Sequence, residues 1–199
     1  MGAGVWGVVE ESQRAVWSFA PFERVDPLRF GMTHDRAMAA VDGVLRAVGT
    51  SGDGRGRVTQ ADLWPVRGPA DSRISGAAVK GISGAAVNLY YDESIGPAAI
   101  AIDARRGPQV HLDDIPPVGR TPSRLEDAFC DHLTARGHRV RYSRDVDPCA
   151  PELGVVVRVQ RAGDHVLTRP VLLAREWATN CRDTREGLVP RDEWRTFAC

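Results

Sequence analysis

The sequence has almost no lysine and no net charge. Lys80 is the only lysine among 26 basic residues, and 26 acidic residues balance them. A neutral chain has no long-range field of one sign, so we expect neither nucleic acid nor a membrane as a partner. The excess of arginine, together with abundant Ala, Gly and Val, indicates a high-GC bacterial coding sequence and is not by itself evidence for a phosphate site.

Long apolar runs and paired cysteines are also missing. No stretch approaches the roughly 20 apolar residues of a membrane span, and residues 1–6 lack the basic and apolar regions of a signal peptide. Cys130, Cys149, Cys181 and Cys199 form no C-x-x-C pair, which argues against zinc and against a secreted disulfide scaffold. We therefore expect a cytoplasmic protein with four free thiols, no metal and no other cofactor.

The composition is that of an ordered globular chain. At 199 residues, 43% hydrophobic and 26% charged, the sequence predicts a single α+β domain over residues 1–199. The last part of the chain, residues 179–199, is a polar tail whose few apolar side chains are expected to dock it.

Two segments have helical spacing of apolar residues. Thr33 is the expected N-cap of the first, whose apolar stripe is Ala37, Met38, Val41, Val44, Leu45 and Val48. The second begins either with a Ser123/Glu126 capping box or with Pro122 at the first helical position behind Thr121. Its stripe is Leu125, Ala128, Phe129 and Leu133, and Gly137 ends it.

The other segments read as strands and loops. Residues 49–56 are rich in glycine and predict a mobile loop, and residues 57–72 stay ambiguous. Residues 74–79 recur as residues 82–87 in a short duplication. Antiparallel strands are predicted at residues 86–91, 98–103 and 109–112, and a further hairpin at residues 155–160 and 166–174 around Gly163. Pro170 indicates an edge or a bulge in that hairpin.

The order of elements is similar in two parts of the chain. Residues 27–118 and 119–178 each run from a Gly and Thr turn into an amphipathic helix, a loop and antiparallel strands. This order indicates a tandem pseudo-repeat with two helices on one face of an antiparallel sheet, since each layer then buries its apolar side.

A short motif carries a family resemblance. The stretch Pro27-Leu28-Arg29-Phe30-Gly31-Met32-Thr33 resembles the turn that opens the helix of SmpA/OmlA lipoproteins and of the beta-lactamase inhibitory protein. Residues 87–92, 107–110 with 119–120, and 161–164 with 169–170 resemble uncharacterised bacterial proteins associated with contact-toxin immunity. The resemblance implies a helix-plus-sheet repeat. The chain lacks the lipobox cysteine and an evident disulfide pair, so neither outer-membrane assembly nor β-lactamase inhibition is expected.

The candidate binding residues cluster near the last hairpin. Arginine and tryptophan are typical interface anchors. We predict binding residues at Arg158, Arg161, Arg169, Arg175 and Trp177. The leading hypothesis is a non-enzymatic binding module, immunity-like or inhibitor-like, with one protein partner.

Two alternatives stay open. The first is an enzyme with a site built from Asp103, His111, Asp113 and His132. His111, Asp113 and Asp114, with His132 or His138, supply nitrogen and oxygen ligands, but their spacing is not tight enough to predict a metal site. Cys130 lies two residues before His132 on the helix, so the two do not face each other. The second alternative is a structural domain that self-associates through a strand edge near Pro170.

Overall fold

The computed structural model describes residues 7–66, 85–143 and 146–178. Several predictions lie outside these residues: those for Cys181, Cys199 and the tail at residues 179–199, and that for the duplication over residues 74–84. In chain order the helices are α1 (His34–Val41), α2 (Pro122–Ala135) and α3 (Arg175–Ala178).

The described part of the chain has an α+β fold whose two sheets are mostly antiparallel, as predicted. In chain order the strands are β1 (Val16–Ala20), β2 (Arg24–Val25), β3 (Leu28–Arg29), β4 (Leu45–Gly52), β5 (Val58–Pro65), β6 (Val87–Asp92), β7 (Gly96–Ile102), β8 (Gln109–His111), β9 (Arg141–Tyr142), β10 (Pro148–Ala150), β11 (Val155–Ala162) and β12 (His165–Leu173). The smaller sheet has the order β3-β2-β1-β8, and the larger has the order β4-β5-β6-β7-β12-β11-β10-β9.

Strand β8 is not the third strand of the predicted meander. It pairs in parallel with β1, with Val16 opposite Gln109. The buried side chain of Arg14 donates hydrogen bonds to the carbonyls of Ala104 (2.7 Å) and Gly107 (2.6 Å), which link the chain just before β1 to the turn before β8. The parallel pairing is thus accompanied by contacts between residues about 90 positions apart in sequence.

Helix α1 is shorter than its apolar stripe predicted. The helix ends at Val41 because Asp42 is extended and Gly43 has φ +78°, and Leu45 then begins β4. Thr33 is confirmed as the N-cap, since its hydroxyl accepts a hydrogen bond from Arg36 N at 3.3 Å.

The glycine-rich stretch is only partly a loop. Its first four residues belong to β4, which pairs with β5 across register shifts at Ala47/Gly49 and Ser51/Gly52. The loop itself is closed by Asp53, whose Oδ1 accepts from the backbone N–H of Arg55 (2.8 Å) and Arg57 (3.3 Å). The pairing with β5 compensates for the poor strand propensity of these residues.

Helix α2 follows one of its two predicted starts. Thr121 is the N-cap without a side-chain cap bond, and Pro122 takes the first helical position. The capping box is wrong, because Ser123 lies inside the helix and the Glu126 carboxylate accepts from the Tyr142 hydroxyl at 2.7 Å. The end of the helix before Gly137, which has φ +74°, is as predicted.

The β11–β12 hairpin is confirmed, but Pro170 is at no exposed edge. The residue is buried and lies opposite Val157 on β11. Two residues earlier, the backbone of Thr168 bonds to Gly119 (2.8 Å) and Arg120 (2.9 Å), and pairing with β7 begins at Val171. Pro170 therefore falls between two sets of backbone partners, where no N–H is required.

Successive side chains of β7 point to opposite faces of the sheet, so the strand contributes to two hydrophobic cores. Ile100 and Ile102 belong to the larger core, together with buried side chains of α1 and α2 such as Val41 and Phe129. On the opposite face, alanines of β7 belong to the smaller core. That core comprises Tyr90, Ala99, Ala101, Cys149, Val156, Val171, Leu173 and Ala178. The placement of both helices on one sheet face and the repeat of the two halves stay predictions.

In the described ranges, no helix has the length and the apolar character needed to cross a membrane.

Candidate functional site

A cleft of about 310 Å³ opens beside the turn between β6 and β7, and is called the turn cleft below. Three elements meet there: the start of α1, the loop between β4 and β5, and the β6–β7 turn. The residues that line the cleft are His34, Asp53, Arg57, Val58, Thr59, Tyr91, Asp92 and Glu93.

One wall of the turn cleft is a hydrogen-bonded ring pair. His34 is the first residue of α1, and its Nδ1 lies 2.9 Å from the hydroxyl of Tyr91, with the two rings edge to face at a centroid distance of 5.5 Å. Burial raises the pKa of Tyr91 to about 12, so the phenol keeps its proton at neutral pH. Its hydroxyl can donate to His34 Nδ1 or accept from it, according to which ring nitrogen of His34 carries the proton.

The rim of the turn cleft is charged. Arg57 forms an ion pair with Glu93, and both side chains are exposed. Asp92 accepts hydrogen bonds from the hydroxyl (2.7 Å) and the backbone N–H (2.8 Å) of Ser94. These bonds lower the pKa of Asp92, so its carboxylate is charged throughout the neutral range.

A second surface adjoins the cleft and is called the aromatic corner, which comprises Phe22, Arg175 and Trp177. The guanidinium of Arg175 lies 4.2 Å from the centroid of the Phe22 ring, which is cation–π geometry. Phe22 and Trp177 are partly buried against the smaller core. The indole Nε1 of Trp177 donates to Asp92 Oδ2 at 3.1 Å, so Asp92 joins the aromatic corner to the turn cleft.

The predicted binding residues are spread over three places. Arg175 and Trp177 lie in the aromatic corner, two residues apart in α3. Arg161 is exposed at the opposite end of the β11–β12 hairpin, where its Nε donates to the carbonyl of Gly163 at 2.8 Å. The structure thus leaves Arg175 exposed and Trp177 half-buried at one end of the hairpin, and places Arg161 away from them.

The remaining two arginines are buried in the sheet. Arg158 and Arg169 lie opposite each other on β11 and β12. Arg158 Nε lies 3.4 Å from Asp147 Oδ2, and Arg169, fully buried, donates to Asn88 Oδ1 at 2.7 Å. Desolvation lowers the pKa of Arg169 to about 10, so the side chain is still a cation at neutral pH. Neither arginine is placed to touch a partner directly.

A polar chain crosses the sheet and was not predicted from the sequence. Asp62 Oδ1 accepts from Gln60 (2.8 Å) and from Asn88 (2.7 Å), and Asn88 in turn accepts from Arg169. The only signal was the alternation of polar residues in β5, a segment that stayed ambiguous. These contacts join side chains of β5, β6 and β12 to one another, and we assign them a structural role.

The residues of the enzyme alternative are only partly together. Asp113 Oδ2 lies 3.3 Å from His132 Nε2 and 2.7 Å from Arg136, and Arg136 also contacts His132 Nδ1 at 2.9 Å. Both imidazole nitrogens therefore have a neighbour. Asp103 is buried and binds Gln160 at 2.7 Å and the backbone N–H groups of residues 105 and 106. Within the described residues, no group of three or more His, Cys, Asp or Glu could hold a metal ion.

His132 is the titratable centre of this cluster. Its side chain is nine-tenths buried, and desolvation lowers its pKa. The positive charge of Arg136 acts in the same direction, whereas Asp113 and Asp114 oppose it. The neutral imidazole is thus the favoured form at neutral pH.

Sequence reasoning also missed the ring pair of the turn cleft. His34 and Tyr91 are 57 residues apart, and neither belongs to a recognisable motif. The available signals were weak: a histidine directly after an N-cap and a tyrosine near the end of a strand. Their contact depends on how α1 packs beside the sheet.

Comparisons with protein-family models, with curated proteins and with solved structures give no match.

Proposed function

We propose that this protein is a non-enzymatic protein-binding module, immunity-like or inhibitor-like, that holds one partner through the turn cleft and the aromatic corner. The observation that carries the proposal is the exposed Arg175, whose guanidinium lies over the Phe22 ring, in a corner that shares the smaller core with Trp177 and adjoins an open cleft. Arginine and tryptophan are the residues most often found to dominate the binding energy of an interface, and they do so next to pockets.

The aromatic corner is held in place before any partner arrives. Phe22 and Trp177 rest on the smaller core, and the Trp177 indole is oriented by its bond to Asp92. A side chain that is already ordered loses less conformational entropy on binding, which favours affinity. The corner therefore has both the composition and the rigidity of an interface anchor.

Binding is preferred to the enzyme alternative because of the state of His132. A general base needs one ring nitrogen directed at substrate. Both nitrogens of His132 face protein groups, Asp113 and Arg136, within a side chain that is nine-tenths buried. Self-association near Pro170 has no support either, since that residue is buried between paired strands.

The proposal also includes the arrangement of the helices, the relation to other proteins and the location in the cell. Buried side chains of α1 and α2 join one core with β7, which supports two helices on one sheet face. We extend the proposal to the tandem pseudo-repeat, to kinship with the immunity-like proteins and to a cytoplasmic location.

The test is a pull-down from the source cells with two matched charge reversals. Arg175→Glu changes the aromatic corner, and Arg161→Glu makes the same change on an exposed arginine at the far end of the hairpin. We expect one stoichiometric partner with the wild type and with Arg161→Glu, and its loss with Arg175→Glu. Thermal unfolding shows that both variants are folded. Equal retention of the partner by both variants contradicts the proposal.

A further inference from the structure

The turn cleft has the chemistry to receive one particular kind of side chain. We infer that it accepts an arginine side chain of the protein partner, with the guanidinium over Tyr91 and within reach of the carboxylates of the rim. This inference rests on the proposed function, because it concerns the same surface and names what the partner presents to it.

The first argument is charge complementarity. Among the described residues that line the cleft, three are carboxylates, Asp53, Asp92 and Glu93, and one is an arginine. That arginine, Arg57, is already paired with Glu93. The cleft thus has excess negative charge, which favours a cationic group and disfavours an anionic one.

The second argument is the wall of the cleft. Tyr91 and His34 form a fixed edge-to-face pair, partly buried and hydrogen-bonded at 2.9 Å. A planar guanidinium stacks on an aromatic ring more favourably than an ammonium does, and it also pairs with carboxylates through its fork of N–H donors. An aromatic wall facing a carboxylate rim therefore favours arginine over lysine.

The third argument is the volume of the cleft and the fixed position of one of its carboxylates. A volume of about 310 Å³ is at the lower end for ligand sites, and is suited to one extended side chain. Asp92 is held by both Ser94 and Trp177, so one carboxylate of the rim is positioned before binding. Because Trp177 lies in the aromatic corner, a partner that covers the corner can place a side chain in the adjoining cleft.

The probe for this inference is N-acetyl-arginine amide, followed by amide NMR of the full chain. We expect saturable shifts at residues 34, 53–59 and 91–93 with a dissociation constant in the millimolar range, as befits a single side chain. N-acetyl-citrulline amide has nearly the same shape without the charge, and we expect it to leave these residues unshifted. Equal shifts from citrulline, or no shifts from the arginine probe, overturn the inference.

A pair of variants separates this inference from the proposed function. The double variant Asp53→Asn and Glu93→Gln keeps the side-chain shapes and removes two charges, and we expect about tenfold weaker binding of the arginine probe. Arg161→Glu is the control and leaves the probe affinity unchanged. If the cellular partner binds the double variant as tightly as the wild type, while Arg175→Glu abolishes that binding, the cleft inference fails and the binding function stands.

Discussion

Arg169 on β12 reaches across the intervening strand β7 to donate a hydrogen bond to Asn88 on β6, at 2.7 Å. The small side chains of Ala99 and Ala101 lie on this face of β7 and leave room for the crossing. The large residues of β7, Ile100 and Ile102, point into the opposite core. A fully buried cation is thus accommodated in a space that small side chains leave open.

Replacing Asn88 tests the polar chain across the sheet. Asn88→Ala removes one acceptor of Arg169 and one donor to Asp62, and we expect the free energy of unfolding to fall by about 1–3 kcal/mol. Gln60→Ala removes only one bond to Asp62, so a smaller loss of about 0.5–1.5 kcal/mol is expected. Urea denaturation measures both. An unchanged midpoint for Asn88→Ala contradicts the assigned contacts.

Alanine substitutions at two glycines with similar φ angles distinguish the cost of a left-handed backbone from the cost of a steric clash. Gly43 and Gly96 have φ of +78° and +84°, and a Cβ at Gly43 meets nothing within 4 Å, whereas one at Gly96 lies 2.5 Å from the carbonyl oxygen of Met32. Gly43→Ala should cost roughly 1–2 kcal/mol from the left-handed backbone alone. Gly96→Ala should cost about 1–3 kcal/mol more, because backbone must move. Similar losses in thermal unfolding argue against this approach of α1 to the β6–β7 turn.

The two threonine N-caps are expected to differ. The Thr33 hydroxyl accepts from Arg36 N, whereas the Thr121 side chain makes no capping bond. Thr33→Ala should therefore lower the free energy of unfolding by about 1 kcal/mol. Thr121→Ala should change it by less than about 0.5 kcal/mol, as for an ordinary surface substitution. Chemical denaturation distinguishes the two, and a larger loss for Thr121→Ala would falsify the capping assignment.

The pKa of His132 should move in opposite directions in two variants. Arg136→Ala removes a positive charge that lowers the pKa, so the pKa should rise. Asp113→Asn removes a negative charge that raises it, so the pKa should fall; Asp114 and His138 remain as background charges in both variants. Imidazole NMR signals followed against pH give the values. Shifts of the same sign in both variants contradict the geometry.

The same group makes stability depend on pH. Because the folded-state pKa of His132 lies below the unfolded value of about 6.5, the unfolded chain binds more protons in the interval between them. The contribution is fully present above about pH 6.5 and is lost as the pH falls through the folded-state value. We expect His132→Gln to show a shallower loss of stability from pH 7 to pH 5 than the wild type.

Local signals predicted the elements that depend on neighbours in sequence. Thr33 as an N-cap and the β11–β12 turn at Gly163 were predicted from a few adjacent residues, and the start of α2 at Pro122 was one of two predicted starts. The predicted length of α1 was wrong, because the helical spacing of apolar residues continues past the point where the helix ends. The apolar stripe after Val41 continued the helical spacing, but Asp42 and Gly43 end the helix.

The candidate site was predicted only in part. Arg175 and Trp177 were singled out by composition, and the structure leaves Arg175 exposed over the Phe22 ring and Trp177 half-buried beside Asp92 of the turn cleft. Arg158 and Arg169 share that composition and are buried. Composition cannot separate an exposed arginine from one that crosses a sheet, because burial depends on which residues the neighbouring strands present.

What the sequence by itself determined is the class of the fold and those helices and turns whose signals lie within a few residues of one another. The tertiary structure decided the parallel pairing of β1 with β8, the burial of Arg169 and the contact of His34 with Tyr91. The physical reason is separation along the chain. Arg169 and Asn88 are 81 residues apart, and their contact exists only after the strands between them have paired.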